Sequence, residues 1–272
     1  MSVKLGMIGG GVMGEALLSR LLIQKVYLPH EVVVSEPQAE RRNYLTQQYQ
    51  VEATQDNAHA ATATEVLFLA IKPQVFEAVI AALASRQGGV THESVPLVIS
   101  ILAGTPVSKL EAAFPGQPVI RAMPNTPATV GAGMTAIAPG QHTQPQHLEQ
   151  ARRIFQAVGE VVEVPETLMD AVTGLSGSGP GYVAIAIEAL TDGGVAAGLP
   201  RAIAAKLALQ TVLGTAQLLN ESKIHPAELK DRVTSPGGTT IAGIAHLEAS
   251  GFRSALIEAV RTATARSKQL GS

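Results

Sequence analysis

The stretch VKLGMIGGGVMGEA, residues 3–16, decides how the amino-terminal part of the chain folds. A short apolar strand runs into glycines spaced Gly9-x-Gly11-x-x-Gly14, and a helix follows. The first glycine makes a tight turn, the second admits a pyrophosphate, and the third lets helix and strand pack closely. The helix start directs unpaired N–H groups at the phosphates, so the motif favours a dinucleotide site over a purely structural turn. The residues predicted to contact the dinucleotide are Gly9, Gly11, Val12, Met13 and Gly14.

Short β-rich runs alternate with helical stretches up to Pro165, and after it the strand signals stop. Such alternation predicts a mostly parallel sheet with helices on both faces. We therefore predict an α/β fold, with a Rossmann-type doubly wound domain in residues 1–164 and an all-helical domain in residues 165–272. The predicted strands are 3–9, 31–36, 66–72, 96–102 and 118–123, with 133–139 and 160–164 as extensions, and the predicted helices of the first domain are 12–24, 39–49, 74–85 and 106–113.

Composition and charge narrow the classes of function. Charged residues make up 15% of the chain, against about 25% in average soluble domains, which suggests extensive helix packing or surface hidden at subunit interfaces. The net charge of −2 argues against a nucleic-acid partner, because binders of nucleic acid carry a basic excess or stripe. The absence of cysteine excludes disulfides and thiolate chemistry and fits a reducing compartment. No metal site is predicted, since the seven histidines are scattered.

We predict neither a secretory signal nor a membrane span. The chain starts with a short apolar strand running into glycines, which is not the pattern of a signal peptide. The most apolar stretch, residues 181–219, is interrupted by Glu188, Asp192 and the Gly198-Leu199-Pro200 turn. The expected location is the cytoplasm.

The end of the second predicted strand carries mixed signals about the cofactor. Glu36 lies twenty-two residues beyond Gly14, where an acid usually accepts from the ribose 2′-OH of NAD and would repel the 2′-phosphate of NADP. Arg41 and Arg42 follow closely and could hold that phosphate instead, or both could lie on a solvated helix face. The preference between the two cofactors stays open at this point.

Ligands of such sheets bind beyond the carboxyl ends of the strands, so further loops are expected at the cofactor. The third predicted strand ends in Ala70-Ile71-Lys72-Pro73 and the fifth in Met123-Pro124-Asn125-Thr126-Pro127. Two prolines stiffen the second loop and fix where its polar side chains point, which favours a role at the nicotinamide edge over a simple turn. Asn57 is either a ribose or adenine contact or an N-cap or turn residue. The cofactor residues predicted outside the glycine motif are Ser35, Glu36, Asn57, Ala70, Lys72, Pro73, Met123, Pro124 and Asn125.

A polar turn, VTSPGGTTIAGI at residues 233–244, interrupts the apolar helical region. Pro236-Gly237-Gly238 breaks a helix, and two threonines follow. The N–H groups of residues 237–240 could bind something small and anionic at the start of the next helix, where the helix terminus adds roughly 0.3–1 kcal/mol. The alternative is a tight connection with a threonine N-cap.

Several motifs occur in the order known from one family, over nearly the whole chain. They are GGGVMGEA, AIKPQ, RAMPNTP, AVTGLSGSGPGY, HPAELKDRVTSPGGTTIAGIAHLE and GFRSALIEAV, and by them the chain resembles the Δ1-pyrroline-5-carboxylate reductases. The stretch from His225 to Glu248 is the most specific. Two positions depart from the family: Gly181, where alanine is usual, and Glu36, where many members have a small or hydroxyl residue and favour NADPH.

The resemblance implies hydride transfer from NAD(P)H to C5 of the cyclic imine 1-pyrroline-5-carboxylate, giving L-proline. It implies NADP(H) as the cofactor, with NAD(H) left open by Glu36, and a homo-oligomer built from dimers of interleaved helical domains, sometimes arranged into rings. No buried base is required, because the cofactor carries the hard chemistry. The resemblance also implies that Thr240 is the catalytic residue, with its hydroxyl orienting the ring nitrogen. The implied substrate-binding residues are Ser235, Gly237, Gly238, Thr239 and Thr240.

Two other functions remain to be weighed. A β-hydroxyacid dehydrogenase pairs a similar nucleotide domain with a helical one, but Val183 and Ile187 occupy the positions of its catalytic lysine and asparagine. A non-enzymatic NAD(P)-responsive regulator could also retain the fold, although it needs neither the stiffened loop nor a second anion pocket. The segment Ser176–Pro180 is either a capping turn or a neighbour of the nicotinamide and substrate.

Overall fold

The computed structural model describes residues 3–84 and 95–271. The described chain divides into two compact units, one of residues up to 177 together with those from 263 onward, and the other of residues 178–262. The strand region ends at Glu163, close to the predicted division at 164/165, while the units themselves meet at 177/178. The division at 164/165 therefore stays a prediction.

A mostly parallel sheet of eight strands runs through the described part of the first unit. The strands are β1 (Leu5–Ile8), β2 (Val32–Ser35), β3 (Glu52–Thr54), β4 (Val66–Leu69), β5 (Leu97–Ser100), β6 (Val119–Met123), β7 (Gly133–Pro139) and β8 (Gly159–Glu163). Their order is β3-β2-β1-β4-β5-β6-β7-β8, and all neighbours are parallel except β6 and β7. The order reverses between β1 and β4, which creates the crevice where ligands of doubly wound sheets bind.

The helices of the first unit connect these strands. They are α1 (Val12–Ile23), α2 (Ala39–Tyr49), α3 (Asn57–Ala60), α4 (Phe76–Ala84), α5 (Val107–Ala113), α6 (Pro145–Gln156) and α7 (Met169–Val172). A single π-helical turn, Thr173–Gly177, follows α7, and short 3-10 turns cover Pro29–Glu31, Pro73–Val75, Thr126–Val130 and Glu166–Leu168.

The core of the first unit occupies both faces of the sheet. β1, β2, β4 and β5 are buried at every position, as expected for parallel strands covered by helices on both sides. Successive side chains of a strand point to opposite faces, so Phe68 packs in one cluster while its neighbours Leu67 and Leu69 pack in the other. Phe68 also meets Phe155 of α6, with ring centroids 5.9 Å apart.

The predicted fold class is confirmed, and most predicted elements lie within one or two residues of the observed ones. Three elements went unpredicted, for different reasons. β3 and α3 span three and four residues, too few to show a periodic pattern. α6 buries Ala151, Ile154 and Phe155, an i, i+3, i+4 stripe that the sequence does carry. Position 85, the last of the helix predicted at 74–85, lies outside the described residues.

The second unit is helical throughout its described residues. Its helices are α8 (Gly179–Ala196), α9 (Arg201–Ser222), α10 (Pro226–Arg232), α11 (Thr239–Ala249) and α12 (Phe252–Gly271), the last of which continues into the first unit. The proline-marked starts at 178–180, 199–200 and 225–226 coincide with the starts of α8, α9 and α10. Proline is tolerated there because the first N–H groups of a helix have no partner inside the helix.

The second unit leaves most of its apolar side chains exposed. Among its described residues only Thr191, Ala204 and Ala208 are buried. By length and composition alone α9 could cross a membrane, although no such segment was predicted from the sequence. The interruptions noted in residues 181–219 lie outside α9, so they do not shorten it. The large exposed apolar side chains of α8 and α9 are Val183, Ile185, Leu190, Ile203, Leu207, Leu209, Leu213 and Leu218.

Candidate active site

The glycine turn after β1 has two positions that only glycine fits. Gly9 has φ +106°, and a β-carbon there would lie 2.5 Å from the carbonyl oxygen of Ala70. A β-carbon on Gly14 would lie 2.4 Å from the carbonyl oxygen of Gly9. A β-carbon on Gly11 would meet nothing within 4 Å. The absence of a side chain at Gly9 and Gly14 thus lets the strand, the turn and the helix pack closely, while the backbone at Gly11 borders open space.

Helix α1 begins at this open space without a side-chain cap. Its N-cap is Gly11, in extended backbone, and no side chain of the described residues accepts from the first N–H groups. Val12 is 76% exposed, whereas Met13 is partly buried against the core. The free N–H groups and the helix dipole therefore face solvent at a position that suits a phosphate.

Glu36 braces the glycine turn. Its side chain is largely buried, with the residue only 8% exposed. One carboxylate oxygen accepts from the N–H of Gly10 at 3.1 Å and the other from the N–H of Gln38 at 3.1 Å. Both oxygens are thus engaged by backbone donors before any ribose arrives.

The two arginines of α2 bond to backbone carbonyls of the same region. Arg41 donates from Nε to the carbonyl of Gly10 at 2.7 Å, and its guanidinium also pairs with Glu15. Arg42 donates from Nη1 to the carbonyls of Glu36 and Pro37, at 2.9 and 2.7 Å. Both side chains are half-buried. Arg41 thus lies against the glycine turn and Arg42 against the loop that follows β2.

Glu15, in the first turn of α1, accepts hydrogen bonds from three side chains of α2. Tyr44 donates to it at 2.9 Å and Tyr49 at 2.6 Å, beside the pair with Arg41. Burial would raise the pKa of the Glu15 carboxyl, but the hydrogen bonds from Tyr49, Arg41 and Tyr44 outweigh it and hold the pKa below its usual value. This cluster fixes α2 against the helix that carries the glycine motif.

Ser35 and Asn57 meet at the carboxyl ends of β2 and β3. The Ser35 hydroxyl, which is buried, donates to Oδ1 of Asn57 at 2.6 Å. Asn57 is the first residue of α3, and the N-cap is Asp56, which accepts from the N–H of Ala58 at 3.0 Å. The N-cap alternative for Asn57 is therefore wrong, and its side chain lies beside the carboxyl end of β2.

The loop after β4 lies against the glycine turn. The N–H of Ala70 donates to the carbonyl of Ile8 at 2.8 Å, and the Ala70 methyl lies 3.4 Å from the position of a Gly14 β-carbon. Lys72 and Pro73 are exposed at the start of the following 3-10 turn. The structure thus brings Ala70 beside Gly9 and Gly14.

The loop after β6 is anchored on both sides. Pro124 is buried, and Met123 and Asn125 are half-buried. Asn125 donates from Nδ2 to the carbonyl of Ser176 at 3.0 Å and accepts at Oδ1 from the N–H of Met134 at 2.9 Å. The polar side chain that the prolines were expected to orient is therefore bonded within the protein.

Sequence reasoning missed the loop after β5, which lies between the β4 and β6 loops at the same edge of the sheet. Gly104 in this loop has φ +71°, and a β-carbon there would lie 3.3 Å from backbone atoms of Leu270, near the end of α12. Thr105 beside it is buried. The signal was available, because the Ala-Gly-Thr-Pro run at 103–106 follows a predicted strand just as the other selected loops do.

In the second unit, the loop between α10 and α11 also depends on two glycines. Gly237 has φ +67°, the left-handed region that favours glycine. A β-carbon on Gly238 would lie 2.3 Å from the Ser235 hydroxyl oxygen, and the N–H of Gly238 donates to the carbonyl of Ser235 at 3.0 Å. The two glycines thus build a tight turn around the Ser235 side chain.

Helix α11 begins at this turn with its first N–H groups uncapped. The N-cap is Gly238, and no side chain among the described residues caps it. The alternative of a threonine N-cap is therefore wrong, since Thr239 and Thr240 are the first two helical residues. Thr239 is exposed and Thr240 is half-buried. Like α1, this helix presents free N–H groups that suit an anion.

Comparisons with known proteins show what the chain is similar to. A family model described as pyrroline-5-carboxylate reductase dimerisation matches residues 166–270, and one described as NADP oxidoreductase, coenzyme F420-dependent, matches residues 4–104. The pyrroline-5-carboxylate reductase of Synechocystis sp. is 63% identical over 271 residues, which cover 100% of this chain and 99% of the relative.

Solved structures show the same similarity over the full length. A pyrroline-5-carboxylate reductase from Coxiella burnetii aligns with a TM-score of 0.90 and 32% identity, covering 99% of both chains. The pyrroline carboxylate reductase of Plasmodium falciparum, solved with NADP bound, aligns with a TM-score of 0.87 and 30% identity, covering 99% of this chain and 98% of that one.

These matches cover both the sheet and the helical part of the chain, and they set aside the β-hydroxyacid dehydrogenase and the non-enzymatic regulator. The chain belongs to the pyrroline-5-carboxylate reductase family and is an NAD(P)H-dependent oxidoreductase that converts 1-pyrroline-5-carboxylate to proline.

Proposed function

We propose that this enzyme uses NADPH as its hydride donor and binds the substrate carboxylate at the start of α11. The observation that carries the substrate part is the uncapped helix start behind Gly237 and Gly238. In the reaction, hydride from the nicotinamide forms a bond to C5, and the π electrons of the C=N bond pass to the ring nitrogen. That nitrogen needs one proton, which the imine carries already or takes from solvent.

In this proposal the substrate carboxylate accepts from the N–H groups of residues 237–240, and Ser235 supports their turn. The Thr240 hydroxyl bonds to the ring nitrogen and so fixes which face of the imine meets the hydride donor. A threonine hydroxyl is a poor acid, so its contribution is orientation, and holding reacting atoms in place supplies much of the rate enhancement in such reactions.

The cofactor part of the proposal assigns the pyrophosphate to the start of α1. The open space at Gly11 and the uncapped N–H groups beyond it fit a diphosphate. Val12 and Met13 belong to the same helix start, with Gly9 and Gly14 shaping the turn. We assign the ribose end to Ser35, Glu36 and Asn57 and the nicotinamide edge to Ala70, Lys72, Pro73, Met123, Pro124 and Asn125.

Two features of the β2 end favour NADPH over NADH. Glu36 already accepts one backbone N–H bond at each carboxylate oxygen, which partly offsets its charge and leaves fewer acceptor sites for a ribose diol. Arg42 lies against the carbonyls of the same loop, within reach of a 2′-phosphate at the end of β2. The P. falciparum relative was solved with NADP bound, which is in keeping with this assignment.

Kinetics with both cofactors tests this preference. Arg42→Ala should lower kcat/KM for NADPH by about tenfold, or 1.4 kcal/mol, and leave kcat/KM for NADH within twofold, because NADH has no 2′-phosphate to lose a contact. Equal losses with both cofactors would show that Arg42 supports the loop and does not read the phosphate.

The substrate assignment is tested with a pair of isosteric variants. Thr240→Val should lower kcat/KM for pyrroline-5-carboxylate by about 1–3 kcal/mol, the usual cost of a hydrogen bond to a charged partner. Thr239→Val is the matched control, since it keeps every backbone N–H of the helix start and should leave kcat/KM within twofold. An unchanged kcat/KM in Thr240→Val would remove Thr240 from the site.

We also propose that the enzyme is a cytoplasmic homo-oligomer, a dimer or a ring of dimers. The supporting observation is the exposed apolar surface of α8 and α9, which lies inside the region matched by the dimerisation model. We assign substrate binding and dimerisation to residues 165–272 and dinucleotide binding to residues 1–164. Analytical ultracentrifugation tests the assembly, and a monomer at micromolar concentration would contradict it.

A further inference from the structure

The side-chain amide of Asn125 joins three segments of the first unit. Nδ2 donates to the carbonyl of Ser176 at 3.0 Å, and Oδ1 accepts from the N–H of Met134 at 2.9 Å. The first bond reaches the π-helical turn Thr173–Gly177, and the second reaches the start of β7. One amide thus ties both of these segments to the loop after β6.

The turn that Asn125 holds has unusual backbone geometry. π-helical turns are rare and are found frequently at functional sites. The Ser176 hydroxyl donates to the carbonyl of Val172 at 3.2 Å, so the side chain bonds back to the end of α7 while the backbone carbonyl bonds to Asn125. The turn also packs on the β6 loop, since a β-carbon on Gly177 would lie 2.9 Å from Cε of Met123.

We infer that Asn125 is a positioning residue, which acts by fixing this π-helical turn against the Met123-Pro124 loop. The inference rests on the proposed function, which places that loop at the nicotinamide edge. It changes the role expected of Asn125, because one bond at each end of its amide fixes the orientation of the side chain inside the protein. The turn and the loop together form one wall, and the Asn125 amide supplies a side-chain hydrogen bond that joins them.

Loss of the amide donor would leave the Ser176 carbonyl without this partner and let the turn move away from the loop. NADPH would still bind, since its phosphates and ribose are held at the glycine motif and the β2 end. Hydride transfer would suffer, because a displacement of about 1 Å in a reacting assembly can lower the rate by roughly a hundredfold. The expected signature is therefore a fall in kcat without a loss of cofactor affinity.

Asn125→Asp tests the inference most sharply. The aspartate keeps an oxygen that can accept from Met134 and replaces the donor facing Ser176 with a second acceptor. We expect kcat to fall by about tenfold or more, with the NADPH Kd from fluorescence titration within twofold of the wild type. The deuterium isotope effect with 4-deuterated NADPH should rise, because hydride transfer becomes rate-limiting.

Asn125→Ala serves as a second variant in case the charge of the aspartate prevents folding, and it should show the same signature. Thr129→Ala is the matched control, since it removes a different hydrogen bond of the following 3-10 turn, from Thr129 to the carbonyl of Thr126 at 2.9 Å. The control should leave kcat and the isotope effect unchanged.

Two outcomes would overturn the inference. A raised NADPH Kd at unchanged kcat would make Asn125 a direct ligand of the cofactor. A lowered Tm with kcat and isotope effect unchanged would make its role purely structural. Failure of the proposed function is distinguishable from both, because it would appear in the wild type as NADPH that is not oxidised in the presence of pyrroline-5-carboxylate.

Discussion

The two compact units differ in how far they bury their apolar side chains. In the first unit every residue of β1, β2, β4 and β5 is buried. In the second unit the 22 residues of α9 bury only Ala204 and Ala208. The difference arises from the number of packed layers in each unit. A sheet that helices cover on both faces buries its strands within one chain, whereas a small set of helices without a further layer leaves apolar side chains on its surface. Such stripes mark a site of association.

The largest effect is expected in the core of the first unit. Phe68→Ala removes a fully buried ring that meets Phe155 at 5.9 Å, and it should lower the free energy of unfolding by about 3–5 kcal/mol. Urea unfolding measures the change. Val162→Ala, at a position 38% exposed in β8, is the control and should change the free energy by about 0.5 kcal/mol or less. Equal costs at both positions would contradict the division into buried and exposed strands.

A smaller effect, of a different kind, is expected on α9. Leu213 is 56% exposed in the single chain, so Leu213→Glu should cost an isolated unit little. In the proposed oligomer it places a charge in an apolar interface and should weaken association by about 2 kcal/mol or more. Sedimentation velocity at several concentrations detects the dissociation. Leu28→Glu, at a position 45% exposed in the first unit, should leave the assembly intact.

The glycine turn offers a matched pair of variants within one motif. Gly14→Ala forces a β-carbon against the Gly9 carbonyl and should cost about 1–3 kcal/mol of stability. Gly11→Ala has open space, so Tm should stay unchanged while the NADPH Kd rises about tenfold, or 1.4 kcal/mol, because the methyl occupies the approach of the pyrophosphate. Measuring Tm with and without NADPH distinguishes the loss of stability in Gly14→Ala from the loss of NADPH binding in Gly11→Ala. A Gly11→Ala variant that binds NADPH normally would place the pyrophosphate elsewhere.

The smallest effect is expected at Glu15, whose lowered pKa links stability to pH. A carboxyl with a lowered folded-state pKa contributes stability above its ordinary pKa and loses that contribution as the pH falls through the lowered value. Glu15→Gln should therefore lower the free energy of unfolding near pH 7 by less than about 1 kcal/mol, because the ion pair is partly exposed. The Tm near pH 7 should fall accordingly. The Tm difference should shrink as the pH falls into the acid range. A difference that stays constant with pH would show that the charge of Glu15 contributes nothing.

Most of the sheet was predictable because its central strands carry local apolar runs and most helix starts carry a glycine or proline signal. The antiparallel β7 was expected only as an extension of the sheet, and β3 left no signal in its three residues. Within the candidate site, the glycine motif and the helix start at Thr239 follow from neighbouring residues. The roles of Glu36 and Asn125 did not follow, since the acid braces the turn and the amide holds a distant carbonyl.

Backbone conformation in this chain is largely a local matter. Gly9 and Gly237 adopt positive φ in their turns, and glycine suits both positions because the steric limits on φ and ψ act between adjacent residues. Side-chain partners are not local: Glu36 meets an N–H donor 26 positions away, and Asn125 meets a carbonyl 51 positions away. Those bonds exist only once the strands are assembled, since the sheet brings distant segments to one edge. For that reason the reaction class could be predicted from sequence motifs, whereas the hydrogen-bond partners of Glu36 and Asn125 could be identified only in the tertiary structure.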